Sequence, residues 1–389
     1  MQKPFFLASR IELFPRTLHL DCMVWASACV FGLSLAAILP TLLSAQQTSP
    51  EDIFHHAAQA HPEYALGFAY ALGQDAPTVM IAGPTTKGVS GSVANDAPWH
   101  IGSISKSFTS TLVMRLVDRG EVTLDAPIGT YLARDKDSMH PDWRTVGLRQ
   151  LLSHSAGMPA NAPRHVTRET FAHAPYAGRR AVLSAMWGDP LPGKSGEFHY
   201  SNIGYVLAGF VAEEVTGASW EELIMSEIAA PLGLTSLGFG APTQSDAARG
   251  HQSVLGFRRS VQPESPASDN PRWLGPAGTI HLNMADLVRW GQMHLRACAG
   301  HMPEYLAQAS CQAMQTPDSS NYGLGWVIGD AGEKGPIVWH NGSNTMWYVV
   351  LMLNPEQDLV VAVATNLHAP KRMDELARKL MFALAPGDR

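Results

Sequence analysis

The strongest constraint on the fold is a change of periodicity along the chain. Short apolar stretches with strand character lie near both ends, and helical spacing fills the middle. Near the C-terminus, residues 347–353 and 359–364 are apolar and flank Asn354-Pro355-Glu356-Gln357-Asp358. Asn, Pro and Asp favour chain reversal, so these two stretches are expected to pair as an antiparallel hairpin. Residues 325–328 and 337–340 read as strands before them, and residues 372–384 as a closing helix. At the other end, a helix expected over Pro50–Ala60 is followed by strands at residues 64–72 and 79–82. From Ser103 to about Leu295, apolar residues recur three and four apart, as in Phe108, Leu112 and Leu116 or Ile203, Leu207 and Phe210. Gly120 and Gly217 read as helix stops, and Ser219 with Glu222 as a capping box. The expected fold class is therefore α/β, of the α+β kind. One sheet is assembled from the two termini, a helical lobe is inserted, and the site lies between them.

The N-terminal segment has a separate character. Lys3, Arg10 and Arg16 precede an almost uncharged apolar stretch over residues 23–43, followed by Leu43-Ser44-Ala45 and polar Gln46-Gln47-Thr48. That order is the order of a signal peptide. The stretch is also long enough to cross a bilayer, so an uncleaved membrane anchor is the second reading. Both readings make residues 1–45 a leader and place residues 46–389 outside the cytoplasm, in the periplasm or extracellular space. Cys298 and Cys311 fall in this exported part, where they either form a disulfide or remain buried thiols on neighbouring helices. Charged residues are 16% of the sequence, the formal net charge is -6, and there is no concentrated basic run, which excludes a nucleic-acid backbone as partner.

Three local patterns carry chemistry. Ser103-Ile104-Ser105-Lys106 opens a predicted helix, and residues three apart share a helix face, so the hydroxyl and the amine can touch. A helix cap of the ordinary kind would have Glu or Gln at position 106. A cation there opposes the helix dipole, which argues for a functional reason. The second pattern is Tyr200-Ser201-Asn202 in a loop before the Ile203 helix, where a phenol can exchange a proton with serine and an amide can bind a substrate carbonyl. The third is His340-Asn341-Gly342-Ser343 at a strand end, where Gly342 allows close backbone approach. The Ser343 N–H is assigned with the Ser103 N–H to an oxyanion hole.

In this order and at these separations, the three patterns resemble the serine β-lactamase and penicillin-recognising enzyme family, and within it the class C β-lactamases with their D-peptidase and esterase relatives. The resemblance extends over residues 151–157 and 200–209, Pro231-Leu232-Gly233, Pro276-Ala277-Gly278, residues 322–326 and the hairpin ending at Thr365-Asn366. It implies an antiparallel sheet with a helical lobe, Ser103 as nucleophile, Lys106 and Tyr200 as its proton partners, and Asn202 with the His340 strand at the substrate. One departure is His340-Asn341-Gly342 where β-lactamases usually have Lys-Thr-Gly. A lysine there gives a fixed positive charge for the drug's carboxylate, and a neutral imidazole gives only a hydrogen bond.

The sequence calls for no cofactor. His55, His56 and His61 match no H-E-x-x-H pattern and read as a solvated helix face, while His154 reads as a structural hydrogen-bonder. No G-x-S-x-G elbow is present. The expected activity is hydrolysis of an ester, D-peptide or β-lactam through an acyl-enzyme, with a small molecule or short peptide as substrate. The alternative is a penicillin-binding sensor on the same fold that is acylated without turnover.

Overall fold

The computed structural model describes residues 48–254, 257–317, 320–330, 332 and 335–385. The leader, read as a signal peptide or anchor, lies outside the described residues. Among the described residues, no helix is long and apolar enough to cross a membrane.

A six-stranded sheet has the order β2-β1-β11-β10-β9-β8. Its strands are β1 (Leu66–Leu72), β2 (Thr78–Ala82), β8 (Val327–Asp330), β9 (Pro336–Gly342), β10 (Tyr348–Asn354) and β11 (Leu359–Thr365). Every neighbouring pair is antiparallel, and the termini meet where Leu66 pairs with Thr365 and Leu72 with Leu359. All seven residues of both β10 and β11 are buried, because helices cover the sheet on two sides. On one face, Phe68, Val350, Met352, Val361 and Val363 pack against helices Pro50–Ala60 (α1) and Pro370–Leu384 (α6). On the other, Ala69, Leu351, Val360 and Ala362 pack into the core shared with the lobe and with helix Met284–Cys298 (α4).

Two lobe helices position the site: α2 (Ser105–Asp118) and α3 (Asn202–Thr216). Helix α4 docks on α2 through a ring stack of Trp290 on Phe108 at 3.9 Å and through Trp290 Nε1 donating to Ser107 Oγ at 3.0 Å. A second, three-stranded sheet joins β3 (Trp99–His100), β7 (Ile280–Leu282) and β4 (Gly238–Phe239), and a hairpin pairs β5 (His251–Val254) with β6 (Phe257–Ser260). Cys298 and Cys311 are disulfide-bonded, tying the end of α4 to helix Gln308–Met314 (α5).

The strand expected over residues 325–328 starts two residues later. Gly325 has φ +84°, and a Cβ there would lie 2.7 Å from Ser110 Oγ and 3.0 Å from the Lys106 carbonyl oxygen. The turn before β8 is thus pressed onto α2, a long-range contact that local strand propensity does not register. His55, His56 and His61 are exposed, as their reading as a solvated face requires.

Candidate active site

Ser103 lies between the edge of the small sheet and α2. The expected helix start is resolved into two pieces: a 3₁₀ turn over Gly102–Ile104, then α2 from Ser105. Ser105 is part of the reason. Its hydroxyl donates to the Gly102 carbonyl at 2.7 Å and accepts from the Ile280 N–H at 3.1 Å, so it holds the tighter turn and links it to β7. The three-residue spacing survives, and Lys106 Nζ is 3.1 Å from Ser103 Oγ.

Lys106 is fully buried. Its Nζ also donates to Asn202 Oδ1 and to the Ala277 carbonyl oxygen, each at 2.7 Å. Both of these oxygens can only accept, so two amine hydrogens are committed whatever the charge state. The third direction faces Ser103. It carries an N–H if the amine is charged and the lone pair if it is neutral. Burial pushes the Lys106 pKa well below the ordinary lysine value, because the charged form loses its water. A neutral amine with its lone pair on the serine hydroxyl is a general base.

The Ala277 carbonyl reaches Lys106 because two helices accept the segment that bears it. Gly209 of α3 meets Pro276 where a Cβ would lie 2.4 Å from the proline ring, and Thr109 of α2 donates to the Pro276 carbonyl at 2.7 Å. Asn202 is the first residue of α3, whose N-cap Ser201 accepts the Gly204 N–H at 2.9 Å. With Oδ1 on Lys106, Asn202 gives an Nδ2 hydrogen to Asn161 Oδ1 at 2.7 Å.

Tyr200 shares a hydrogen bond with Ser103, and its ring lies under the amine with Lys106 Nζ 4.9 Å from the centroid. Burial raises the phenol pKa, so the hydroxyl keeps its proton at neutral pH. His154 packs against Tyr200 with ring centroids 4.2 Å apart. Its Nδ1 accepts the Ser201 N–H at 3.0 Å, which is the hydrogen-bonding role expected of it, and its backbone has φ +62°. Burial, followed by the nearby Lys106 and His340, pushes its pKa well down.

Strand β9 closes the site from the sheet side. A Cβ on Gly342 would lie 1.8 Å from the Ile101 carbonyl oxygen and 2.7 Å from the Ser103 nitrogen. Across the same contact Gly102, with φ +51°, is so close that a Cβ would lie 2.2 Å from the Ser343 nitrogen. The glycines bring the Ser103 and Ser343 amides onto facing backbone stretches. His340 is buried, and both of its ring nitrogens are used inside the protein. Nδ1 is 2.5 Å from the Asn341 carbonyl oxygen, and Nε2 is 3.0 Å from the Tyr322 hydroxyl. A carbonyl accepts only, so Nδ1 carries the hydrogen and Tyr322 donates to Nε2. Burial, with Lys106 second, pushes the His340 pKa down to about 3 and keeps the imidazole neutral.

The structure brings Ser103, Lys106, Tyr200 and Asn202 together, with Gly342 and Ser343 against them and His340 behind. Sequence reasoning did not assign roles to Ala277, Asn161, Tyr205 or Tyr322. Ala277, Tyr205 and Tyr322 stand in segments that carried the family resemblance, which was the available signal. The Asn161 contact has no local pattern. Tyr205 is one turn into α3, and its ring centroid is 5.5 Å from Lys106 Nζ.

A two-sided helix-covered antiparallel sheet and an inserted lobe, with serine, lysine and tyrosine converging between them, define the β-lactamase and transpeptidase type of protein. The family model described as Beta-lactamase matches residues 57–385, and the chain belongs to that family. It is 28% identical over 319 residues to penicillin-binding protein 4 of Amycolatopsis lactamdurans, covering 79% of this chain and 82% of that one. It is 25% identical over 326 residues to protein flp of Staphylococcus aureus (strain NCTC 8325 / PS 47), covering 81% of this chain and only 60% of flp. Among solved structures, SurE superposes with a TM-score of 0.71 at 25% identity, covering 89% of this chain and 78% of SurE. The D-amino acid amidase of Ochrobactrum anthropi SV3 gives 0.70 at 20% identity (86% and 98%), and a class C β-lactamase of Rhodobacter sphaeroides 0.68 at 20% (87% and 99%). The last two likenesses concern the fold.

Proposed function

We propose that the protein is an exported serine hydrolase that turns over esters or D-amino-acid amides and peptides through an acyl-enzyme, in preference to β-lactams. The observation that carries this reading is the buried Lys106 amine, committed to two acceptors and facing Ser103 Oγ at 3.1 Å. Ser103 Oγ attacks the carbonyl carbon as its proton passes to the Lys106 lone pair. The carbonyl π electrons move to oxygen, which the Ser103 and Ser343 N–H groups hold. When the intermediate collapses, the bond to the leaving group breaks, and the proton taken from serine is returned to that group through the Tyr200 hydroxyl. Water then adds to the acyl carbonyl, gives its proton to Lys106 and releases the acid, and Ser103 regains its hydrogen.

The substrate preference rests on His340. A neutral imidazole with both nitrogens used internally supplies no cation for a β-lactam carboxylate at the position where β-lactamases usually have lysine. Export rests on the leader sequence.

The test compares a short acyl ester, a D-amino-acid amide, a D-Ala-D-Ala peptide and a chromogenic cephalosporin on the wild type and on Ser103→Ala. Turnover of the ester, amide or peptide above the cephalosporin, with loss of turnover and of covalent labelling in the variant, is expected. Labelling at another residue removes the mechanism. One stoichiometric acylation without turnover makes the protein a sensor, and fastest turnover of the cephalosporin overturns the substrate assignment.

A further inference from the structure

His100, the last residue of β3, is completely buried three residues before the nucleophile. Its Nδ1 accepts the Gly102 N–H at 3.2 Å. Its Nε2 lies 2.8 Å from Asp269 Oδ1, approaching obliquely instead of along a straight hydrogen bond. The same carboxylate oxygen accepts from Asn344 Nδ2 at 3.2 Å and from the Asn270 N–H at 2.7 Å. Asn344 directly follows Ser343, and its Oδ1 accepts the Met346 and Trp347 N–H groups at 3.3 and 3.4 Å, which folds the turn leaving β9. Trp347 in turn stacks on His100 with centroids 5.7 Å apart and planes 25° from parallel.

We propose that Asp269 is a positioning residue of the oxyanion hole. One arm runs from its carboxylate through His100 to Gly102 and the Ser103 amide, the other through Asn344 to the Ser343 amide. Nδ1 accepts the Gly102 N–H, so the hydrogen of the neutral ring is on Nε2, and the carboxylate 2.8 Å away, which accepts only, favours that tautomer by charge. The other tautomer would set two N–H groups against each other at a glycine whose φ of +51° already fixes the turn before the nucleophile. A carboxylate that merely packs the loop would influence stability alone. One that sets the spacing of two amides acts on the transition state, where the developing oxyanion is held.

This inference rests on the acyl-transfer reading, and its test keeps the two separable. The full chain is assayed on 4-nitrophenyl acetate, with phenylboronic acid as a reversible tetrahedral mimic and burst titration for the active fraction. Asp269→Ala is expected to lower kcat per active site about ten- to hundredfold with KM within about twofold, and to weaken the boronic acid by a similar factor. Asp269→Asn, whose amide oxygen still accepts from both arms, recovers most of the loss. Asn344→Ala cuts one arm and lowers kcat about tenfold, which serves should Asp269→Ala not fold. Wild-type kcat and boronic acid affinity in Asp269→Ala or Asn344→Ala, or losses wholly explained by the active fraction, overturn the proposal while Ser103-dependent hydrolysis stands. Hydrolysis that persists in Ser103→Ala overturns the acyl-transfer reading itself, and this proposal with it.

Discussion

Gly342→Ala tests the closure of the site most directly. The added methyl would sit 1.8 Å from the Ile101 carbonyl oxygen and 2.7 Å from the Ser103 nitrogen, where real Cβ atoms essentially never come below 3.0 Å. All of those atoms are backbone, so no side chain can swing away. Strand β9 and the Gly102–Ile104 turn must separate by about 1.2 Å or more to clear the carbonyl oxygen, and a displacement near 1 Å in an active site can cost about a hundredfold in rate. Loss of one oxyanion donor costs about 10²–10³ in kcat, or roughly 2.7–4 kcal/mol of transition-state stabilisation, so the two figures agree. The assay is steady-state ester hydrolysis per active site, with circular dichroism and thermal melting to show that the sheet is intact. Because the substitution leaves the side chains of Ser103, Lys106 and Tyr200 unchanged in identity, slow covalent labelling should persist while kcat falls about a hundredfold or more. A folded variant with kcat within threefold of wild type, on the order of 0.7 kcal/mol, would refute the argument that the two amides must lie this close.

Two further outcomes follow from buried charge. Since burial lowers the Lys106 pKa, its amine is neutral above that depressed value and takes up a proton below it. Ester kcat/KM should therefore be retained at neutral pH and fall on acidification, without the alkaline onset near pH ~10 that an ordinary lysine would impose. His340, pushed down to about 3, should add no step near the usual histidine value. A pH profile rising only above pH ~10 contradicts this assignment. In the lobe, the buried Arg179 guanidinium pairs with Glu213 at 2.9 Å and with Glu221 at 2.7 Å. Arg179→Met leaves the buried Glu213 without its cation and should cost about 3–5 kcal/mol in chemical denaturation, much of it restored by adding Glu213→Gln. A loss below about 1 kcal/mol would show that Glu213 is adequately served by the Trp220 N–H alone.

Much of the fold is legible in the residues, for reasons that are local. Apolar runs around a Pro- and Asp-bearing turn make a hairpin, and β10 and β11 fall within one residue of the expected ends. Helix α1 has the bounds expected of it, because Ser49 accepts the Asp52 N–H at 3.0 Å and Pro50 opens the first turn. The Ser103 and Lys106 contact is legible for a similar reason, since a spacing of three survives the change from α to 3₁₀ geometry.

What the sequence alone determined is therefore the set of groups and their local spacing: an alcohol three residues before an amine, a phenol two before an amide, and glycines where backbones must touch. Only the tertiary structure decided their chemical state. The lowered basicity of Lys106 and the neutrality of His340 come from burial, and the segments that bury them are distant in the chain, as with Ala277, about 170 positions from Lys106. The links from Asp269 to His100 and Asn344 likewise join loops with no common pattern. Desolvation and hydrogen-bond partners depend on what surrounds a group in space, and spacing along the chain records only its neighbours in order.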